Sequence, residues 1–493
     1  MAVEKNCQVM TPSNVVRLML DHIGYYGQNV RRKHIIDNSC GDGNFLIEII
    51  RRYFYAIESS GDYYRSDAQY SSEIFEYVHG IEKDRVLWRK CCDRVNALLR
   101  ELFGDDLPEH FKAENIIKCE DTLQVSLIGK YDNMMDFVIG NPPYINIHNL
   151  GENYDLCRSY SFCSEGMTDI YLAFFELGFK MLKPGGKLIY VTPISWLTSA
   201  AGKKLRNFIL NGKNSIRLND VIDFEYNAVF KGISAYPIIS CFRKLGTDNR
   251  FNTEKFSIYK VENSELKLKL VESFKSVLDC NIEGKFYLGN ADGIAKLKQI
   301  NSNNVAHKII VKNGLATLND SAFIGDSVPD SKYRIPMIKA SKGIKTFGLF
   351  PYDAEGKPIS LDKLKADKSF IDYIHKNSNK QTISGDDIFY YGKTQAIKDV
   401  YKDKVAINNL LRSVKDIKIT EAPSGTGVYC SGGGYYILGA DVKTIEHCLK
   451  TESFIDYVKS LKKYKNGGYF CFSTKDLEKY LNYKITYKND GSV

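Results

Sequence analysis

The sequence predicts an α/β fold: a doubly wound, mostly parallel sheet in the first half and a mixed α+β domain in the second. Three observations carry this. Short apolar runs alternate with amphipathic stretches up to about residue 245, as strands and crossover helices do in a parallel sheet. The polar stretch Gly246–Glu254 (GTDNRFNTE) then interrupts the pattern, and the remainder is rich in Tyr, Lys and Gly/Asn/Ser turns. The charge also divides: residues from Phe251 onward hold 38 basic and 28 acidic side chains, whereas the first 250 hold 30 and 31. The expected domains are therefore 1–245 and 246–493. The second suits a polyanionic partner or an ordinary basic, solvated surface.

Taken in order, the strands are expected at His34–Asp37, Phe75–Ile81, Phe137–Ile139, Lys187–Thr192, Asp220–Phe224 and Ile238–Phe242. Helices lie between them. Asp169–Leu182 is apolar around most of its circumference and is followed by Lys-Pro-Gly-Gly, so it reads as a buried helix with a firm stop. The Tyr-rich segment Tyr53–Tyr70 reads as an insertion. With 493 residues, 44% hydrophobic and 26% charged, the chain is too apolar for disorder. It has no run of about 18 apolar residues for a membrane span and no signal-peptide pattern at its start, so a cytoplasmic protein is expected. Twelve cysteines without a C-x-x-C pair suggest neither a disulfide framework nor a metal site, and Cys91 and Cys92 read as buried thiols.

Chemistry concentrates at the strand ends. His34–Phe45 (HIIDNSCGDGNF) is a strand, an acid at Asp37, a Gly41-x-Gly43 turn and a helix start, an arrangement that lets a small ligand approach backbone N–H groups. Taken alone, such a turn is no more than a turn. Glu82 ends the next apolar run, where an acid can receive a ribose diol, and Asp121-Thr122 follows a third. Together, Asp37, Glu82 and Asp121 describe a nucleoside cofactor across the carboxyl edge of the sheet.

The motif Asn141-Pro142-Pro143-Tyr144 follows the run Asp136–Gly140. Prolines can simply end a strand, but one chemistry accounts for all four residues. An exocyclic aromatic amine is a poor nucleophile because its lone pair is delocalised. The Asn141 side-chain oxygen and the Pro142 carbonyl can each accept an amine hydrogen and draw the nitrogen toward tetrahedral geometry. The prolines fix φ, and Tyr144 offers a face on which an extruded base can stack. Attack on a methyl sulfonium then requires neither metal nor strong base.

The ordered set of motifs resembles the TaqI-like gamma-class DNA adenine-N6 methyltransferases of restriction-modification systems. VMTPSNVVRLML, DNSCGDGNF, GIEKD, EDTL, IGNPPYI and DIYLAFFELGFKMLKPGGKLIYVTPISWL match in order over about half the chain, and NAVFKGISAYPIISCFRK resembles the closing strands. The resemblance implies a Rossmann-like methyltransferase sheet and a C-terminal target-recognition domain. S-adenosyl-L-methionine would be the cofactor and double-stranded DNA the partner, with a separate cognate endonuclease left open. It implies that Thr11, Asp37, Cys40, Gly41 and Gly43 meet the methionine part, Glu82 the ribose, and Lys83, Phe174, Asp121 and Thr122 the adenine. Asn141, Pro142 and Tyr144 would be catalytic, with Pro143 and Phe230 against the target base. In the C-terminal half, Lys339, Lys342 and Gly392–Gln395 are of types that read phosphates and base edges. Only ten residues precede Thr11 and no metal-dependent nuclease motif follows, so no cutting activity is expected. The rival with the same loop is an RNA or release-factor glutamine methyltransferase, which usually carries its substrate domain ahead of the catalytic fold.

Overall fold

The structure is a computed structural model of all 493 residues. Its described residues are 10–60, 68–105, 107, 111–225, 236–246, 255–262, 265–302, 309–378 and 385–489. The chain forms two compact units, Met1–Ile294 and Ala295–Val493.

The first unit is a nine-stranded sheet. Its strands are β1 (Ile35–Asp37), β2 (Val78–Ile81), β3 (Ile117–Lys118), β4 (Met135–Gly140), β5 (Leu182–Pro193), β6 (Ile216–Asp223), β7 (Pro237–Lys244), β8 (Phe256–Val261) and β9 (Leu268–Phe274). They lie in the order β3-β2-β1-β4-β5-β7-β6-β8-β9. Strands β3 to β5 pair in parallel, and β7 runs antiparallel to both neighbours. The chain steps outward from β1 to β3 and then returns to place β4 on the other side of β1. That reversal opens a crevice at the carboxyl ends of β1 and β4, the place where ligands bind in doubly wound sheets. The Rossmann-like α/β expectation is met.

The helices follow from burial. Helices α1 (Ser13–His22), α2 (Asn44–Glu58), α3 (Ala68–Tyr77) and α4 (Arg85–Phe103) contribute to the core shared by β1 and β2. Arg85–Phe103 starts cleanly because the Asp84 carboxylate accepts from the Val86 and Leu87 N–H groups. The apolar helix expected at Asp169–Leu182 is Tyr171–Met181, with nine of its eleven residues buried. Its Gly178 allows close contact with β5, since a Cβ there would lie 2.3 Å from Leu188 Cδ1. Phe175 packs against Trp196 and Phe242, and burial of one such ring stabilises the fold by about 1.5–3 kcal/mol.

Three expectations need correction. The run Phe75–Ile81 is not all strand: α3 continues to Tyr77, with Ile74 buried on its inner side, and the strand begins at Val78. The segment expected to be an insertion from Tyr53 starts inside α2, where Tyr53, Phe54, Ala56 and Ile57 are buried. The domain boundary expected near Gly246 falls within the first unit, because β8 pairs in parallel with β6 and β9 with β8. Their Lys-bearing alternation, FSIYKV and LKLVESF, is that of half-exposed strands extending the sheet.

The second unit is mixed α+β, as expected. It holds a four-stranded sheet ordered Ile310–Asn313, Tyr435–Leu438, Lys404–Ile407 and Ile419–Ala422. A second sheet consists of Ile344–Leu349, Arg334–Lys339 and Gly427–Tyr429, and a third of Leu410–Leu411, Tyr469–Cys471 and Tyr464–Lys465. Its helices include Lys368–Asn377, Val442–Leu449, Glu452–Ser460 and Thr474–Asn489. Among the described residues, no helix is long and apolar enough to cross a membrane.

Candidate active site

Asp37 is the last residue of β1, and Asn141 follows the last residue of β4, so both motifs emerge at the crevice. The approach is close: a Cβ on Gly140 would lie 3.0 Å from Asp37 Oδ1 and 3.4 Å from Ser39 Oγ. A cleft opens there. Its walls include Asn38, Ser39, Glu82, Lys83, Asp121 and Thr122, with apolar surface from Ile81, Pro143, Ile145, Ile170 and Phe174.

The glycine turn is held from three sides. Gly41 (φ +55°) and Gly43 (φ +95°) are left-handed, and a Cβ on Gly43 would lie 2.7 Å from Cys91 Sγ. The buried Glu82 carboxylate accepts from Gly41 N (2.9 Å) through one oxygen and from Asp84 N (2.8 Å) through the other. It thereby ties the turn after β1 to the end of β2. From the amino-terminal side, the carbonyl of the buried Thr11 accepts from Asn44 Nδ2 (3.0 Å), and Met10 Sδ would lie 3.5 Å from a Cβ on Gly41. Cys40 contributes backbone to the turn, but its thiol is buried in the core, 4.0 Å from Cys91 Sγ. The Cys91 contact and, after it, burial push that thiol's pKa well up.

Asp37 is almost wholly buried. Its Oδ1 accepts from Ser39 N (3.1 Å), and its Oδ2 has no hydrogen-bond partner among the described residues. Desolvation pushes its pKa up to about 8, against the partly offsetting Ser39 N–H. Asn38 donates from Nδ2 to Tyr190 Oη (2.8 Å), and its main-chain carbonyl accepts from Thr122 Oγ1 (2.6 Å). Asn38 Oδ1 and Ser39 Oγ are also buried without a hydrogen-bond partner among the described residues. Asp121 caps helix α5 (Thr122–Leu127) through Leu123 N (2.9 Å), and its other oxygen is 4.0 Å from Lys83 Nζ. Phe174, from the buried helix, also lines the cleft.

The loop after β4 is equally fixed. Asn141 Oδ1 accepts from Tyr144 Oη (2.6 Å), and Tyr144 sits edge-on to Tyr171, ring centroids 6.2 Å apart. Burial raises the Tyr144 phenol's pKa further above its ordinary range, so it remains a donor. Beyond it, Ile170 N donates to Ile145 O (2.9 Å) and Ile147 N to Thr168 O (3.0 Å), fastening the loop to the start of the apolar helix. Pro142 is buried, while Pro143 lines the cleft beside the cofactor candidates.

The structure therefore gathers Asp37, Gly41, Gly43, Glu82, Lys83, Asp121, Thr122, Phe174 and the Asn141–Tyr144 loop around one crevice, with Thr11 behind the turn. Phe230 lies outside the described residues. Ile145, Ile170, Asn38 and Ser39 were missed as cleft residues; the last two stand within the DNSCGDGNF motif, but only the fold shows that the two isoleucines meet. Although no metal site was expected, His22, Asp220 and Cys241 bring three potential ligand atoms within 4.8 Å of one another. His22 Nε2 there lies 3.3 Å from Asp220 Oδ2.

Residues 70–230 match the family model described as Eco57I restriction-modification methylase. The chain is thus similar to restriction-modification methyltransferases over this segment. It is 22% identical to the type II restriction enzyme and methyltransferase RM.Eco57I of Escherichia coli, over 82% of this chain and 49% of that one. It is 26% identical to the type II methyltransferase M.PaeR7I of Pseudomonas aeruginosa, over 50% of this chain and 41% of that one. The chain thus spans about half the length, or less, of these curated relatives. Among solved structures, it superposes on the type IIL restriction-modification enzyme MmeI in complex with DNA with a TM-score of 0.65 and 14% identity, over 96% of this chain and 68% of that one. That likeness extends the shared fold across both units.

The cofactor of this relationship is S-adenosyl-L-methionine, and the crevice fits it. An unpartnered buried carboxylate oxygen at Asp37 suits a cation, and Ile81 and Phe174 offer apolar walls for a flat base.

Proposed function

We propose that the chain transfers the methyl group of S-adenosyl-L-methionine to the exocyclic N6 amine of an adenine flipped out of a specific duplex DNA sequence, as the modifying activity of a restriction-modification or epigenetic system. The observation that carries this reading is the Asn141 side-chain oxygen, fixed at the end of β4 beside the cleft and already engaged by a hydroxyl donor at 2.6 Å. An acceptor in that position can take an amine hydrogen in place of the phenol's. With the Pro142 carbonyl accepting the second hydrogen, the amine lone pair is turned away from the ring and toward the methyl donor. Bound S-adenosyl-L-methionine supplies an electrophilic methyl sulfonium. Asp37, Gly41 and Gly43 would hold its methionine part, Glu82 its ribose, and Lys83, Asp121, Thr122 and Phe174 its adenine. Pro143 and Tyr144 would face the flipped base.

The reading is tested by incubating the full chain with duplex DNA and isotopically labelled cofactor, then analysing the digested nucleosides by mass spectrometry. Labelled N6-methyldeoxyadenosine is expected. Label in cytosine, or only in RNA or a glutamine-containing peptide when those are offered, would refute it. At Tyr144 the ring and the hydroxyl have separable roles. Tyr144→Phe keeps the stacking face and loses the bond to Asn141, so it should retain measurable turnover. Tyr144→Ala should lose at least about fivefold more, since base stacking on an aromatic is worth roughly 1–3 kcal/mol. Equal rates for the two would remove the stacking role.

A pH effect follows from Asp37. Its folded-state pKa is raised from 3.8 to about 8, so the ligand-free protein binds a proton there that the unfolded chain releases. Stability of the ligand-free protein should fall as pH rises from about 4 toward 8 and level off above. A cationic cofactor prefers the ionised carboxylate, so its affinity should rise up to about tenfold per pH unit between about pH 6 and 8, then flatten. Titration calorimetry across this range checks the slope, and Asp37→Asn should abolish it. A slope retained in Asp37→Asn would assign it elsewhere.

A further inference from the structure

Away from the crevice, the first unit brings His22, Asp220 and Cys241 together, each offering one ligand atom within 4.8 Å of the others. Three elements meet there: His22 is the last residue of α1, Asp220 lies in β6 and Cys241 in β7. A bulge in the β6–β7 ladder sets the pairing. Leu218 stands opposite Phe242, and then Asp220, one residue further than regular pairing allows, stands opposite Cys241. In an unbroken ladder Asn219 would stand opposite Cys241, and Asp220 would point to the other side of the sheet. The extra residue therefore re-aims the carboxylate to the face of the thiol, where directly opposed side chains have Cβ atoms about 4.5–5.5 Å apart. That is the face covered by α1, since Cys241 shares its buried core with Val15, Val16 and Met19.

Packing alone leaves this cluster unsatisfied. His22 Nε2 is buried and 3.3 Å from Asp220 Oδ2, yet it makes no hydrogen bond among the described residues. The separation matches the spacing of about 3.3 Å between two ligand atoms of a tetrahedral ion whose bonds to nitrogen and oxygen are about 2.0–2.1 Å long. Thiolate, imidazole and carboxylate together form a donor set suited to Zn²⁺. Cys241 is 5% exposed, whereas the side chains of His22 and Asp220 are 12% and 25% exposed, so an ion and a completing water can enter from their side. Tyr259 walls the site, its ring at 82° to that of His22 with centroids 5.3 Å apart. The neighbouring Lys187 ammonium donates to Ile23 O (3.0 Å), and the carbonyls at this end of α1 favour a positive charge.

We propose that His22, Asp220 and Cys241 bind a Zn²⁺ ion that fastens the C-terminal end of α1 to the β6–β7 pair. The Cys241 thiol releases its proton to solvent as the sulfur–metal bond forms. Ten helical residues place His22 about 15 Å from the end of α1 beside the glycine turn, so the ion acts on stability and not on the reacting centre. The full chain is freed of metal with a chelator and titrated with Co²⁺, whose thiolate-to-metal charge-transfer absorption reports a sulfur ligand, and with Zn²⁺ during thermal melting. One equivalent is expected to bind with that absorption. Zn²⁺ at about a hundred times its Kd should raise the folding equilibrium constant about a hundredfold, read as a higher melting temperature. Cys241→Ala should lose both signals, whereas Cys119→Ala, which removes an exposed thiol, should keep both. Asp220→Asn and His22→Gln, at less buried positions, should weaken binding at least about tenfold, the least that loss of even an outer-shell partner costs, and they carry the test if Cys241→Ala does not fold. Absence of binding by the folded wild type, absorption that survives in Cys241→Ala or vanishes in Cys119→Ala, or unchanged binding in Asp220→Asn and His22→Gln would overturn the inference. Metal binding is read without cofactor or DNA, so its failure leaves the proposed function standing.

Discussion

Asn141→Ala is expected to lower methyl transfer by at least about a hundredfold while leaving cofactor affinity nearly unchanged, since a preorganised hydrogen-bonding group that acts on the reacting centre typically contributes that much. The reasoning is geometric. The Asn141 side chain is held by the Tyr144 hydroxyl and lies one residue beyond β4, while the turn and carboxylates that would hold the cofactor come from other segments. Removing the amide therefore deletes the acceptor for the amine without disturbing Asp37, Glu82 or Asp121. Single-turnover kinetics with labelled cofactor, beside titration calorimetry of the same preparation, separates the two effects. Loss of both binding and turnover would mean that the loop supports the pocket instead of the chemistry.

Glu82→Ala should give the opposite pattern: cofactor affinity lost by at least about a hundredfold, together with a lower melting temperature. Its carboxylate accepts two main-chain hydrogen bonds, from Gly41 and Asp84, in a position only 3% exposed. Hydrogen bonds to a charged group contribute about 1.5–3 kcal/mol each, and truncation leaves two N–H groups near the cleft without their acceptor. The glycine turn would be released from the end of β2, and the ribose of a bound cofactor would lose its partner at once. Calorimetry and thermal melting read these two consequences. Wild-type affinity in a folded Glu82→Ala protein would remove the crevice between β1 and β2 from the cofactor site.

Much of this site was legible because its residues mark where strands end. Asp37, Glu82 and Asn141 each follow a short apolar run, and parallel strands bring such ends to one edge of a sheet. What could not be read was the second role of each group. Glu82 clamps the glycine turn and Asp121 caps a helix, and both depend on where another segment's N–H groups arrive. Cys40 stands in a cofactor-like motif, yet its side chain faces Cys91 from the following helix, a direction that one sequence spacing does not specify. The boundary near Gly246 misplaced β8 and β9 because alternating Lys and apolar residues describe a sheet-edge strand and a basic surface equally well. In the second unit the buried Asn408 amide, bonded to Leu410 O, Asp416 O and Lys418 N, has no sequence signature, since its bonds reach backbone up to ten residues away.

The central claim, that the Asn141 loop modifies adenine amines within a defined duplex sequence, is tested most directly by single-molecule sequencing of DNA from cells expressing the wild type or Asn141→Ala. The account predicts one sequence motif carrying N6-methyladenine in the wild-type sample and none in the variant. Methylation that persists in Asn141→Ala, or its absence from DNA in a wild-type sample whose RNA or protein is newly methylated, would contradict it.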